Sequence, residues 1–168
     1  MTEAQIAEKM VVRSRGNAHD TAHFMRVWAW ARTVGMLEGL DEKTQFILEA
    51  ASIVHDIACP LCREKYGSTN GKYQELEGGP LARAFLEGCG LPAADVERIV
   101  YLVAHHHTYA NVDGPDYQIL LEADYLANAA ESDYTPGNLN NALERIFRTE
   151  AGKALLRSVF AQKLARTE

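Results

Sequence analysis

Apolar positions recur along the chain at intervals of three and four, and no stretch alternates long enough to make a strand. That spacing puts apolar side chains on one face of a helix, so the pattern predicts a succession of amphipathic helices. The first covers residues 3–14 and stops before Gly16 and Asn17. In DTAHFMRVWAWARTVGMLEG the stripe runs through Phe24, Val27, Trp28, Ala31 and Val34, with Asp20 read as the N-cap. Gly39 and Leu40 turn the chain. Asp41 then caps DEKTQFILEAASIVHDI, where Phe46, Ile47, Ala50, Ile53, Val54 and Ile57 make a wide apolar face. Pro60 is expected to end that helix, because it lacks an N–H and its ring collides with the preceding turn. The polar, glycine-bearing stretch CREKYGSTNGKYQELEGG follows and reads as a long loop, of the kind that is functional or disordered. Further helices are predicted at about 79–88, 92–107, 116–130, 137–148 and 149–165. Pro92 suits a first turn, and Gly114-Pro115 breaks the chain. The expected fold is all-α: a single-domain bundle of seven to eight helices over residues 1–168.

Charged groups interrupt this pattern where it demands apolar ones. His55 and Asp56 lie in AASIVHDIA, near the end of a strongly apolar helix, and Asp124 lies in the equally apolar YQILLEADYLANAA. His23 sits in the first turns of a helix otherwise bearing Phe, Val and Trp. An unpaired buried carboxylate costs several kcal/mol, so each Asp needs a partner. One divalent cation satisfies both carboxylates and both imidazoles together. Adjacent helical residues project about 100° apart, so a cation in the groove beside the helix can touch His55 and Asp56 at once. Other helices then bring His23 and Asp124 from across the bundle. Two imidazoles and two carboxylates suit Mn, Fe, Co, Ni, Zn or Mg better than a thiolate-loving metal. A second His-Asp dipeptide, His19-Asp20, is set aside as loop and N-cap.

These residues resemble the HD superfamily of metal-dependent phosphohydrolases, whose skeleton is H…HD…D on a helical bundle. DTAHFMRV is similar to that family's D-x-x-H-x-x-R-V, ASIVHDI carries the HD pair, and LLEADYLAN carries the last Asp. The resemblance spans roughly residues 17–130, with the helices of 137–165 packed on that core. It implies metal ligands at His23, His55, Asp56 and Asp124. Many two-metal members carry His-Glu-x-x-Gly between HD and the final Asp, followed by a His-His pair. The matching stretch here is Gln74-Glu75-Leu76-Glu77-Gly78, with Gln74 where the extra His would fall. A neutral amide is a poor ligand for transition metals, so one cation is expected rather than two. The later pair survives within His105, His106 and His107. Three consecutive residues at a helix end fan out in three directions, so at most two can face one pocket. His106 and His107 are the candidates.

Composition narrows the function classes. The chain of 168 residues has a 47% hydrophobic and a 24% charged fraction, ordinary for a globular protein with a proper core. A net charge of −6 argues against a nucleic-acid polymer or an anionic membrane as the main partner, but not against a small phosphorylated substrate. MTEAQIAEKMVVRSRG lacks the apolar run of a signal peptide, and no uninterrupted apolar stretch of about 18 residues suggests a transmembrane helix. Cys59, Cys62 and Cys89 are too few and too odd for a disulfide framework, so a reducing cytoplasm is the expected compartment. Cys59 and Cys62 have C-x-x-C spacing without the second pair a zinc site needs or the β-α-β pattern of a redox motif, and they read as structural.

The chemistry expected is phosphate-ester hydrolysis of a nucleotide or another phosphomonoester by metal-activated water. Asp56 is the first candidate for accepting the water's proton, with Glu75, His106 and His107 next. Arg26, one turn from His23, together with Lys65 and Lys72, are candidates for holding phosphate. The alternative is a regulatory module that keeps the metal cage and binds a nucleotide without turning it over.

Overall fold

A computed structural model describes residues 1–165; the last three positions of the predicted 1–168 domain lie outside the described residues. Ten helices follow one another: α1 (Glu3–Arg13), α2 (Ala18–Leu37), α3 (Glu42–Val54), α4 (Cys59–Tyr66), α5 (Gly71–Glu87), α6 (Ala93–Val103), α7 (Pro115–Glu131), α8 (Pro136–Arg145), α9 (Glu150–Val159) and α10 (Ala161–Leu164). There is no strand among the described residues.

Three differences from the predicted elements bear on function. Asn17, not Asp20, caps α2, and its side-chain oxygen accepts from the Asp20 N–H at 3.0 Å. Asn caps as well as Asp does, so the helix starts earlier and Asp20 falls inside its first turn with its carboxylate free for other work. Pro60 does not end a helix but opens α4, sitting in its first turn where no N–H is required. The break comes earlier, at residues 55–58, where the chain runs in turns closed by Ile57 N–H to Val54 O at 3.0 Å and Cys59 N–H to Asp56 O at 2.9 Å. The Pro60 ring forbids a continuous helix at the Asp56 carbonyl, four residues back. His55 and Asp56 therefore lie at a kink between two helices.

The expected long loop is largely absent. α4 and α5 occupy it, separated only by residues 67–70. Gly67, with φ +62°, closes α4 in the left-handed conformation that a side chain resists. Asn70 then caps α5 through the Lys72 N–H. Polar composition hid these helices, because one turn of α5 after another packs glycine rather than leucine: a Cβ on Gly78 would stand 3.0 Å from the Val103 side chain of α6. The predicted 149–165 helix is split into α9 and α10 at Phe160.

α2 packs along α3 and α7, while α3 also meets α1 and α6, and α5 lies on α6. Phe24, Val27, Leu48, Ile53, Leu102, Leu120 and their neighbours form the main core. A second apolar cluster, with Leu126, Leu139, Phe147 and Leu156, seats α8–α10 on the outer side of α7. Glu122 of α7 is fully buried and pins that corner, accepting from the Arg148 and Thr149 N–H groups at 2.7 and 3.0 Å. Glu49 of α3 is buried likewise, accepting from Trp28 Nε1 at 2.7 Å and Arg32 at 2.9 Å. The stretch Glu42–Tyr66 is long and apolar enough to cross a membrane by composition, but 72% of its most apolar window is buried inside the fold, as in a core helix.

Leu120 is fully buried midway along α7, the helix common to both clusters. Leu120→Ala is expected to cost about 2–5 kcal/mol in urea denaturation, as core leucine truncations do.

Candidate metal centre

Three segments of the chain bring His23, His55, Asp56 and Asp124 together. His23 comes from α2, Asp124 from α7, and the His55-Asp56 pair from the kink after α3. His23 Nε2 lies 3.2 Å from His55 Nε2, 3.2 Å from Asp124 Oδ1 and 3.5 Å from Asp56 Oδ2. His55 Nε2 lies 3.5 Å from Asp56 Oδ1 and 3.6 Å from Asp124 Oδ1.

The other ring nitrogen of each imidazole fixes its orientation. His55 Nδ1 donates to Ser52 O at 2.8 Å, and His23 Nδ1 to Glu131 Oε2 at 2.9 Å. Carbonyl and carboxylate oxygens only accept, so the proton of each neutral ring is on Nδ1 and the Nε2 lone pair points inward. This is the arrangement in which proteins present histidine to metals, with the far nitrogen tied to an acceptor. In the neutral rings, lone pairs on nitrogen and oxygen thus face one another, a contact that either an added proton or a cation completes. Ligands about 2.1 Å from an ion stand roughly 3.0 Å apart at right angles and roughly 3.4 Å apart at a tetrahedral angle. The measured separations fall around those values, so the residues present fit a divalent cation.

A second set adjoins the first. His106 Nδ1 donates to Val103 O at 2.7 Å, and its Nε2 lies 3.4 Å from Asp56 Oδ1. His106 Nε2 and His107 Nε2 are buried without a hydrogen-bond partner, and so is Gln74 Oε1. Asp56, His106 and His107 form a group of metal-binding spacing that shares Asp56 with the first. Gln74 spends its amide nitrogen on Thr69 O at 2.9 Å, which leaves the oxygen for the cavity it lines. His105 turns away, stacking on Tyr101 and donating to its carbonyl at 2.7 Å. His107 is held closely by α5: a Cβ on Gly71 would stand 2.6 Å from its ring, which only glycine permits.

The charges agree with a cation-seeking site. Burial works to raise the Asp56 and Asp124 carboxyls, but the surrounding imidazoles, His55 and His106 for Asp56 and His23 and His55 for Asp124, hold both well below the usual carboxylate range. Burial also opposes charge on His23, and the Asp124, Asp56 and Glu131 carboxylates outweigh it, pushing His23 up to about 9. His106 is raised too, its burial outweighed by Asp56. His107 goes the other way, pushed down to about 4 by burial and then by His106.

Other residues named from sequence lie at varied distances from this point. Arg26 is paired with Glu131 and lies outside the cavity wall. Lys65 is engaged by Glu77 at 2.7 Å, and Lys72 lies over the Tyr73 ring at 4.6 Å; neither lines the cavity. Glu75 accepts from the His107 N–H at 3.0 Å and Thr108 Oγ1 at 2.9 Å, so it secures the histidine-bearing turn from behind. Cys59 and Cys62 are both buried and free; Cys59 lines the cavity. Burial and the Asp56 and Asp20 carboxylates push the Cys59 thiol up, keeping it protonated and a poor nucleophile.

Sequence reasoning missed several wall residues. The cavity, about 350 Å³, is also lined by His19, Asp20, Arg63, Tyr109, Tyr125, Asn128, Glu131 and Tyr134. The dipeptide set aside as loop and cap therefore belongs to the wall, because Asp20 precedes His23 by one turn on the same helix face. The same spacing pointed to Asn128 and Glu131, four and seven residues after Asp124. Asn128 donates to Asp124 Oδ1 at 2.8 Å. The tyrosines and Arg63 carried no such signal.

The fold matches the crystal structure of a predicted HD superfamily hydrolase from an uncultured Thermotogales bacterium. The TM-score is 0.66 over 98% of this chain and 88% of that one, at 20% sequence identity. The HD-domain fold expected from H…HD…D is thus the fold found. No family model matches the chain, and no curated protein matches it.

Two outcomes follow from the geometry. Without metal, the His23 proton stabilises the fold fully below pH 6.5, and that contribution is lost as pH rises through about 9. A cation must displace the same proton, so the rise in Tm produced by Mn²⁺ should grow from pH 6 to pH 9 in thermal melts of chelated and reloaded protein. A Tm gain that shrinks over this range would contradict the assignment of His23. Glu131→Gln should weaken Mn²⁺ binding by about 10- to 100-fold by calorimetry, and should also lower the Tm of the metal-free protein at pH 7, because Glu131 helps to hold the His23 proton and pairs with Arg26.

Proposed function

We propose that this chain is a metal-dependent phosphohydrolase that cleaves a small phosphorylated metabolite, a nucleotide or another phosphomonoester. The observation that carries this reading is the sharing of Asp56. Its Oδ2 faces His23 while its Oδ1 faces His55 and His106, so one carboxylate joins both groups of ligand atoms. A divalent cation held there (Mn, Fe, Co, Ni, Zn or Mg) supplies Lewis acidity, polarising a phosphoryl oxygen and acidifying water. The similarity to a predicted HD superfamily hydrolase supports hydrolysis as the class of reaction.

The chain's own side chains do the rest. Asp56, ionised and central, accepts the proton of the attacking water. His107 is neutral near pH 7, with its Nε2 free in the cavity, and serves as the next acceptor. His55 and His106 both lower the Asp56 carboxyl from beside it, and Glu75 positions the turn bearing His106 and His107. We extend the reading to a second cation at Asp56, His106 and His107, with Gln74 Oε1 as an oxygen ligand in place of an imidazole. Such a mixed nitrogen and oxygen set suits a transition metal such as Mn, Fe, Co, Ni or Zn. The acidic balance of the chain supports a small substrate rather than a nucleic-acid polymer or a membrane, and its three free cysteines support a reducing cytoplasm.

The test is metal analysis of protein purified without chelator, alongside phosphate release from a panel of esters under Mn, Co, Ni and Mg. The wild type should retain metal and release phosphate. Asp56→Ala should lose most of the metal and at least about 10³-fold in rate. Tight nucleotide binding with no turnover under any metal would replace the enzyme with the regulatory module. No metal and no phosphate release would sink both.

A further inference from the structure

The cavity wall carries four carboxylates, Asp20, Asp56, Asp124 and Glu131, and one Lys or Arg side chain among the described residues, Arg63. Arg63 comes from α4, just past the kink that presents His55 and Asp56. Its guanidinium is held in a two-pronged pair by Asp20, at 2.8 Å and 2.5 Å. Asp20 lies one turn before His23 on α2, so this pair fixes the guanidinium relative to a metal ligand. An arginine has five N–H donors, and Asp20 takes two. Three remain on a side chain that is 44% exposed at the cavity. Desolvated acceptor groups of the protein do not use them: no other bond from Arg63 occurs among the described residues.

We propose that Arg63 holds the phosphoryl oxygens that face away from the metal centre, and that the cavity admits substrates with one phosphoryl group and an uncharged leaving group. The inference rests on the phosphohydrolase reading and sharpens it. A planar fork with spare donors suits a phosphoryl group, and Asp20 keeps it pre-organised without the entropy cost of ordering a free arginine. The selectivity for one phosphoryl group follows from the charges. Cations at the metal centre and one guanidinium, already half-neutralised by Asp20, balance a single phosphate dianion. Each further phosphate would find no further cation in the wall, where Arg63 is the one Lys or Arg side chain among the described residues. Uncharged groups of the wall, Tyr109, Tyr125, Tyr134, Asn128 and Thr69, offer ring faces, hydroxyls and an amide to a leaving group.

The probe is inorganic phosphate titrated by calorimetry into Mn²⁺-loaded protein, with Mn²⁺ affinity measured on the same samples. Arg63→Met should weaken phosphate binding by about 10- to 100-fold while leaving Mn²⁺ affinity unchanged. Arg63→Lys, which keeps charge but not the fork and guards against a folding defect, should recover only part of it. In competition, a nucleoside monophosphate should displace phosphate better than its own triphosphate does. Unchanged phosphate binding in Arg63→Met, or a triphosphate that competes as well as the monophosphate, overturns the inference. Ester hydrolysis whose KM ignores Arg63 overturns it while leaving the enzyme reading intact. Phosphate held through Arg63 with no turnover of any ester does the reverse. Neither binding nor turnover removes both.

Discussion

A buried carboxylate, Asp124, and a half-buried one, Asp56, face imidazole nitrogens whose neutral-ring protons point the other way, and the rest of the molecule is arranged around that unfinished contact. Ser52, Val103 and Glu131 take the Nδ1 protons of His55, His106 and His23, leaving lone pairs turned toward Asp56 and Asp124. In water such groups would each find a hydrogen-bond donor; inside the bundle they need a shared positive charge. A proton supplies it in part, which is why His23 and His106 are raised while the two Asp are depressed. A divalent cation supplies it fully. The helices that carry these groups are held by apolar packing, so the desolvation penalty of the site is met by the fold.

Charge alone does not mark the site. Glu49 and Glu122 are as buried as any ligand, and each is satisfied by local donors: indole and guanidinium for Glu49, the N-terminal N–H groups of a helix corner for Glu122. These two carboxylates lock helices to each other. Asp56 and Asp124 differ because, apart from the Asn128 amide on Asp124, what they face is imidazole nitrogens whose neutral-ring lone pairs point at them. Whether a buried acid is scaffold or site thus depends on what sits opposite it, and that is a property of the packed structure.

The kink at residues 55–58 links backbone chemistry to site chemistry. Pro60 prevents a straight helix from running through Asp56, so the His-Asp pair lies in a turn between α3 and α4. Straightening the segment would carry α4 elsewhere, along with Cys59 and Arg63 in the cavity wall. The same proline that the sequence pattern treats as a stop therefore sets the direction in which the fold continues.

Helical class, the core stripes of α2, α3 and α7, and the set His23, His55, Asp56 and Asp124 were legible from sequence, because apolar periodicity is local and a charge breaking it stands out. The H…HD…D order added the fold, which the structural match bears out. What escaped was whatever depends on juxtaposition. α4 and the start of α5 passed for a loop because their packing relies on glycines and a short polar helix rather than an apolar stripe. Asp20 passed for a cap because its partner, Arg63, is 43 residues away in sequence. Gln74 was read as standing where a histidine ligand would fall, and only the tertiary structure shows that its amide oxygen is buried without a hydrogen-bond partner on a residue that lines the cavity. Sequence fixes which groups cannot tolerate burial alone; the packing of distant helices decides which other groups they meet there.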